Sequence, residues 1–168
     1  MKSIVIVLLL CSIVAPAACA ATGTDNVKGS IGINYGVNGV LGIEGEQSIS
    51  SLANNQPVSL QVFLKNYMQD ISPGVSWDTM GIGAAAIYDF NAAAIMDAKI
   101  HPYFGMGLMY VNHSWSGSGP APGWYNGTGI DSGLYLVGGA RYYLNSKWTA
   151  DLNFNVFSDL TVGVIYSF

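Results

Sequence analysis

Side-chain polarity alternates with a period of two through most of this chain, and most strictly from Trp148 to Phe168. Trp148, Ala150, Leu152, Phe154 and Val156 alternate with Thr149, Asp151, Asn153 and Asn155. Leu160, Val162, Val164, Tyr166 and Phe168 alternate with Thr161, Gly163, Ile165 and Ser167. Successive side chains of a β-strand point to opposite faces, so a period of two is the signature of a strand with one apolar face. Val58, Leu60, Val62 and Leu64 stand in the same way against Ser59, Gln61, Phe63 and Lys65. Five further stretches, about 27–36, 40–49, 77–90, 95–112 and 132–144, follow the pattern less strictly. The sequence therefore predicts eight strands and an all-β fold. Several strands reach the roughly 9–11 residues that cross a membrane at a tilt. No fixed-period repeat and no linker divides the chain after residue 20, so a single domain is expected over 21–168.

Turn arithmetic fixes a register for three hairpins. A turn at Val37-Asn38-Gly39 pairs Ile33 with Ile43, and a turn at Asn145-Ser146-Lys147 sets Arg141 opposite Asp151. A turn at Phe157-Ser158-Asp159 pairs Val156 with Leu160, Phe154 with Val162, Leu152 with Val164 and Trp148 with Phe168. Each arrangement keeps apolar side chains on one face.

The distribution of charge separates a soluble β protein from a membrane barrel. Charged residues make up only 10% of the chain, and hydrophobic residues 51%. A globular domain carries about 25% charge, and a disordered one is richer in charge and poorer in apolar residues. Lys28, Lys65, Lys99, Arg141 and Lys147 lie on the polar parity or at strand ends, and so do Glu44, Glu46, Asp89, Asp97 and Asp151. Asp25, Asp70, Asp78, Asp131 and Asp159 fall near predicted ends and loops. The apolar face carries no charge in mid-strand. Arg or Lys facing lipid at the midplane costs about 2–4 kcal/mol, so this segregation suits a barrel. The polar face, rich in Gly, Ser, Thr, Asn and Tyr, suits a crowded lumen, and lipid forces spanning strands to close into a ring. Aromatic residues fall at two predicted rims, with Tyr88, Phe90, Trp148, Tyr166 and Phe168 at one and Tyr35, Trp77 and Tyr110 at the other. Six basic residues against ten acidic ones, with no basic cluster, argue against nucleic-acid binding.

Residues 1–20 read as an export signal: Lys2, an apolar run from Ile4 to Val14, and an Ala18-Cys19-Ala20 cleavage site. Ala15-Pro16-Ala17 offers another cleavage site. Lipidation at Cys19 would require Leu where Pro16 stands. Both cysteines, Cys11 and Cys19, fall in this segment, so the exported chain is expected to have no disulfide and no thiolate site.

The last residues, Thr161-Val162-Gly163-Val164-Ile165-Tyr166-Ser167-Phe168, resemble the C-terminal signal of bacterial outer-membrane barrels. Pro102-Tyr103-Phe104-Gly105-Met106-Gly107-Leu108 and Gly138-Gly139-Ala140-Arg141-Tyr142-Tyr143-Leu144 are similar to strands of the OmpA-like and opacity-type barrel families. The resemblance covers the exported chain as a pattern more than as residue identity. It implies an eight-stranded antiparallel up-and-down transmembrane β-barrel in the outer membrane of a Gram-negative bacterium. It also implies that Gly163, Tyr166 and Phe168 form an assembly signal read by the barrel-assembly machinery. The chain is expected to lack the peptidoglycan-binding domain that follows the barrel in OmpA, and it departs from the opacity type in having one long outer loop. With a periplasmic N-terminus the outer loops fall at about 36–40, 67–76, 113–131 and 157–159. The inner turns fall at 50–57, 91–94 and 145–147. The 113–131 loop, with Trp115, Trp124 and Tyr125, is the expected surface-binding element.

Three motifs invite chemistry. Gly81-Ile82-Gly83-Ala84-Ala85-Ala86 matches a dinucleotide fingerprint but lies within a strand and opens no helix. There, Gly81, Gly83, Gly105 and Gly107 leave lumen space for side chains such as Tyr103, Tyr135 and Tyr143. His113-Ser114-Trp115-Ser116 suggests the His/Ser pair of lipid A deacylases, but the spacing differs from theirs and no carboxylate is placed beside it by the sequence. His101 and His113 are too far apart along one strand to share a metal. No metal, cofactor or catalytic residue is therefore expected. Glu44, Glu46, Lys65, Arg141 and Asp151 are read as a buried charge network filling the lumen, with a pore lining as the alternative.

The leading expectation is a non-enzymatic, monomeric surface barrel in contact with outer-membrane lipid and lipopolysaccharide, whose role is either envelope integrity or the binding of a host or environmental ligand through 113–131. A narrow solute channel, a lipid A-modifying enzyme and a soluble periplasmic β protein with its apolar face inward are the alternatives.

Overall fold

The computed structural model describes residues 29–72, 75–90, 99–117 and 127–168. These form eight strands: β1 (Gly29–Gly36), β2 (Leu41–Ser48), β3 (Val58–Ser72), β4 (Val75–Asp89), β5 (Ile100–Gly117), β6 (Gly127–Tyr143), β7 (Trp148–Asn155) and β8 (Asp159–Ser167). Each pairs antiparallel with its neighbours in sequence, and β1 pairs with β8 to close the barrel. The export signal expected over 1–20 lies outside the described residues, as do Lys28, Asp97, Trp124 and Tyr125.

Closure turns the alternation into an inside and an outside. Even residues of β4–β7 face outward, where Leu108 (72% exposed) and Phe154 (61% exposed) stand with Leu134 and Leu152. Odd residues face the lumen, where Ile87, Tyr135, Asp151 and Asn155 are buried. The exposed apolar belt is the surface a bilayer would cover, since it has no protein partner. At one end Tyr88 packs on Phe90 and Trp148 on Tyr166, each pair with ring centroids 5.0 Å apart.

Two of the three predicted registers hold. Ile33 faces Ile43, and Arg141 faces Asp151. The third is corrected. Leu152 faces Val162, Phe154 faces Leu160 and Trp148 faces Tyr166, a shift of two residues. Asn155 causes the shift by ending β7 early. Its side-chain oxygen accepts hydrogen bonds from the amides of Phe157 (3.1 Å) and Ser158 (2.9 Å), so Val156, Phe157 and Ser158 form the turn. Asp159 then takes the left-handed conformation with φ 52° and begins β8 opposite Asn155. At the β1–β2 turn Gly39 supplies the same conformation, φ 88°, without Cβ strain.

Two loop boundaries are also corrected. Residues 67–72 and 75–76 pair as strand rather than loop. Residues 113–117 and 127–131 belong to β5 and β6, so Trp115 lies on a strand. Beyond the ends of the short strands the polarity of successive residues no longer alternates strictly, so the pattern that reveals strands fades. The strands are consequently unequal: β3 to β6 run 15, 15, 18 and 17 residues, whereas β1, β2, β7 and β8 run 8, 8, 8 and 9. A four-stranded sheet thus rises above a low wall.

Candidate functional site

The five predicted lumen charges separate into three groups. The first is centred on Arg141 at the lower end of β6. It is directly opposite Asp151 in the sheet, but its guanidinium reaches across the lumen to Glu46 on β2. Nη1 and Nη2 donate to the two carboxylate oxygens at 3.0 and 2.5 Å. This forked pairing matches the planar geometry of both groups. Asp151 is more distant, 3.8 Å from Nε, and neither Nε nor Asp151 Oδ1 has a hydrogen-bond partner. The other Asp151 oxygen accepts from Tyr103 Oη (3.1 Å) and Asn153 Nδ2 (2.5 Å). The Arg141 guanidinium also lies 4.5 Å from the centre of the Tyr103 ring. Glu46, rather than Asp151, is therefore the main partner of Arg141.

Glu44 forms the second group. It accepts a 2.8 Å hydrogen bond from Asn34 Nδ2. Lys65 forms the third, higher in the barrel. Its Nζ donates to Ser158 Oγ at 3.3 Å and lies 5.4 Å from the Tyr135 ring and 5.7 Å from the Phe63 ring. Ser158 in turn donates to Asn155, and Asn155 donates to Thr161 and Asn153, so the β7–β8 turn is tied into the lumen by a polar ladder.

Between these groups an apolar layer fills the barrel. Phe63, Ile87, Tyr103, Tyr135 and Val137 are buried together, with Phe63 and Tyr135 only 4.2 Å apart between ring centres. The lumen glycines provide part of the space, though for other side chains than the tyrosines expected from sequence. A Cβ on Gly83 would meet both Phe63 and the Leu108 carbonyl oxygen, and one on Gly81 would meet Phe157. At Gly107 the obstacle is backbone: a Cβ would meet the carbonyl oxygen of Ala84 on the adjoining strand. The fingerprint-like stretch 81–86 thus lies within β4. Below the Arg141–Glu46 pair the lumen opens into a vestibule of about 770 Å³ lined by Ser59, Asp89, Arg141, Tyr143 and Lys147. Beside it His101 Nδ1 sits 3.3 Å from Asp89, and its ring packs on Tyr143.

The inner face of the projecting sheet carries a second cluster. Trp77 on β4 faces Trp115 on β5, and Thr79 faces His113. Trp77 Nε1 donates to Thr79 Oγ1 at 2.7 Å, Thr79 Oγ1 is 3.0 Å from His113 Nδ1, and His113 Nε2 is 3.4 Å from Asp131 on β6. The rings of Trp77 and Trp115 lie 6.1 Å apart at 39°. Trp77, expected at an aromatic rim, therefore shares the inward parity with this cluster. The sequence left His113 without a carboxylate, and the structure provides Asp131. Ser114 is on the opposite face of β5, as its parity requires, so it is not directed at His113. Thr79 is buried, and its hydroxyl is engaged by Trp77. The chain of bonds orients the rings of Trp77 and His113. Among the described residues no group of three or more His, Cys, Asp or Glu is placed to hold a metal.

The family model of the outer membrane protein β-barrel domain matches residues 6–168. This chain belongs to that family. Solved barrels of similar fold include the N-terminal β-barrel domain of Pseudomonas aeruginosa OprF, at 16% identity and TM-score 0.58, covering 88% of this chain and all of that one. Neisserial surface protein A matches at 19% identity and TM-score 0.55, covering 84% of this chain and 94% of that one. A major outer membrane protein from Thermus thermophilus matches at 12% identity and TM-score 0.56, covering 86% of this chain and all of that one. At such identities the likeness is one of fold. A comparison with the curated proteins finds no match.

Membership of the outer-membrane β-barrel family gives the exposed apolar belt its solvent, the lipid of a bacterial outer membrane. Two features of this family member escaped the sequence reading. The cross-lumen Arg141–Glu46 pair joins residues 95 apart, and only barrel closure brings them together. The Trp77–Thr79–His113–Asp131 chain needed the β4–β5 register, which depends on a turn whose length the sequence did not fix.

Proposed function

We propose that this barrel is a non-enzymatic surface protein that presents the upper part of β3–β6 to ligands outside the cell, above a lumen that does not conduct. The observation that carries the reading is the inequality of the strands. An apolar band about 25 Å tall is crossed by roughly ten tilted residues at about 3.4 Å each. The 18 residues of β5 and 17 of β6 exceed that by seven or eight, all on one side, whereas the 8 residues of β1 leave no excess. Such an extension adds nothing to the membrane anchor and forms a platform. The proposal includes export through residues 1–20, recognition of Gly163, Tyr166 and Phe168 by the assembly machinery, a lipid- and lipopolysaccharide-facing outer wall, and a monomer.

Single cysteines test the orientation, since both native cysteines lie in the expected signal. Asn38→Cys and Ser132→Cys on intact cells should react with a membrane-impermeant maleimide, and Ser146→Cys should react only after lysis. Labelling of Ser146→Cys alone on intact cells would overturn the reading. The vestibule favours a second reading, a narrow channel gated at Arg141. Single-channel recording separates the two.

A further inference from the structure

We propose that the inner face of the projecting sheet is a binding site for organic ammonium groups, in which Trp77 and Trp115 supply the ring faces and Asp131 the countercharge. The site deepens the surface reading above and rests on it for the side of the membrane it faces.

Three observations converge on a cation. The first is the pair of indoles. Their centres are 6.1 Å apart and the planes open at 39°, so one cation above the pair can lie within about 6 Å of both rings. Trp is the best aromatic partner for such a charge. Both rings remain more than a third exposed, so the faces are accessible. The second is pre-organisation. Trp77 is held by Thr79, Thr79 by His113, and His113 faces Asp131, so the ring does not have to be ordered on binding. Asp131 faces His113 through one oxygen yet is 77% exposed, so its carboxylate can also meet a ligand.

The third is the charge of this end of the barrel. Of the described residues, 66–72, 75–80, 109–117, 127–134 and 155–161 hold Asp70, Asp78, Asp131 and Asp159, and the Lys nearest to them, Lys65, is buried at their base against Ser158. Three of the protein's own cations stack elsewhere: Lys65 on Phe63 and Tyr135, Arg141 on Tyr103, and Lys147 on Tyr166. The platform is thus acidic, and the one basic ring beside the indole pair, His113, lies edge-on to Trp77 at 6.1 Å with its nitrogens turned to Thr79 and Asp131. A quaternary ammonium headgroup fits both the rings and the field.

The test is tryptophan fluorescence of the folded barrel in detergent micelles, titrated with choline, with potassium chloride at equal ionic strength and glucose as controls. The proposal expects a saturable change with choline alone, with Kd around the millimolar range. Trp77→Leu or Trp115→Leu should each weaken it at least about fivefold. Asp131→Asn should weaken it severalfold and remove most of its salt dependence. Trp115→Tyr, which keeps an aromatic face, should retain binding, and Trp148→Phe, at the other rim, should leave it unchanged. No saturation in a barrel that still shifts on heating would overturn the proposal. So would an equal response to glucose, or unchanged affinity in both Leu variants. The micelle exposes both ends of the barrel, so failure here leaves the cysteine-labelling result standing, and failure of that labelling leaves the titration interpretable.

Discussion

Replacing Arg141 by Met should destabilise the barrel by about 3 kcal/mol, and most of that loss should disappear when Glu46 is replaced by Met as well. The guanidinium makes two short hydrogen bonds to Glu46 and one distant contact, 3.8 Å, to Asp151. Hydrogen bonds to charged groups contribute about 1.5–3 kcal/mol each, and breaking a buried ion pair costs about 3–5 kcal/mol because a lone charge remains. The lower end of that range applies, since the pair borders the vestibule and the carboxylate left behind is partly hydrated. In the double variant no unpaired Glu46 remains, and Ser59, which donates to Glu46 in the native barrel, can turn to the vestibule. Asp151 keeps Tyr103 and Asn153. The assay is equilibrium urea unfolding in micelles, with a double-mutant cycle giving the coupling. A coupling of at least about 2 kcal/mol is expected. A coupling below about 0.5 kcal/mol, or a larger coupling with Asp151 than with Glu46, would refute the assignment of partners.

Leu108→Arg puts a charge on the exposed belt and should cost about 2–4 kcal/mol in folding into lipid vesicles if that residue lies near the midplane; an unchanged unfolding midpoint would contradict a lipid-facing belt. Gly107→Val places side-chain carbon against the Ala84 carbonyl and should prevent assembly, read as loss of the heat-modifiable form, whereas Gly133→Ala, with open space around it, should assemble normally. The native barrel should show no steady conductance in planar bilayers, and Phe63→Ala/Tyr135→Ala, which removes the 4.2 Å stacked layer, should introduce open events; steady conductance in the native protein would favour the channel.

The faces of the strands were legible because lipid and lumen impose opposite demands on adjacent residues, as in Leu152 against Asp151. Register was less so. Any shift by two preserves every face, so parity alone could not distinguish Leu152 opposite Val164 from Leu152 opposite Val162. Only the hydrogen bonds of Asn155 to the turn decided it. The extensions of β3–β6 were illegible for a related reason. Thr128 and Ile130 share the outward face of β6 beyond the short strands, one polar and the other apolar, so polarity no longer reports the strand. Charge positions could be assigned to the lumen from sequence, but partners could not: Arg141 passes over its cross-strand neighbour for a carboxylate on the far wall.

A closed barrel in the outer membrane stays folded in detergent until it is boiled, so gel mobility of the outer-membrane fraction with and without boiling is the decisive measurement. A faster-migrating unheated band that shifts on boiling is expected. A single band unaffected by heat, with the protein recovered in the soluble periplasmic fraction, would contradict it.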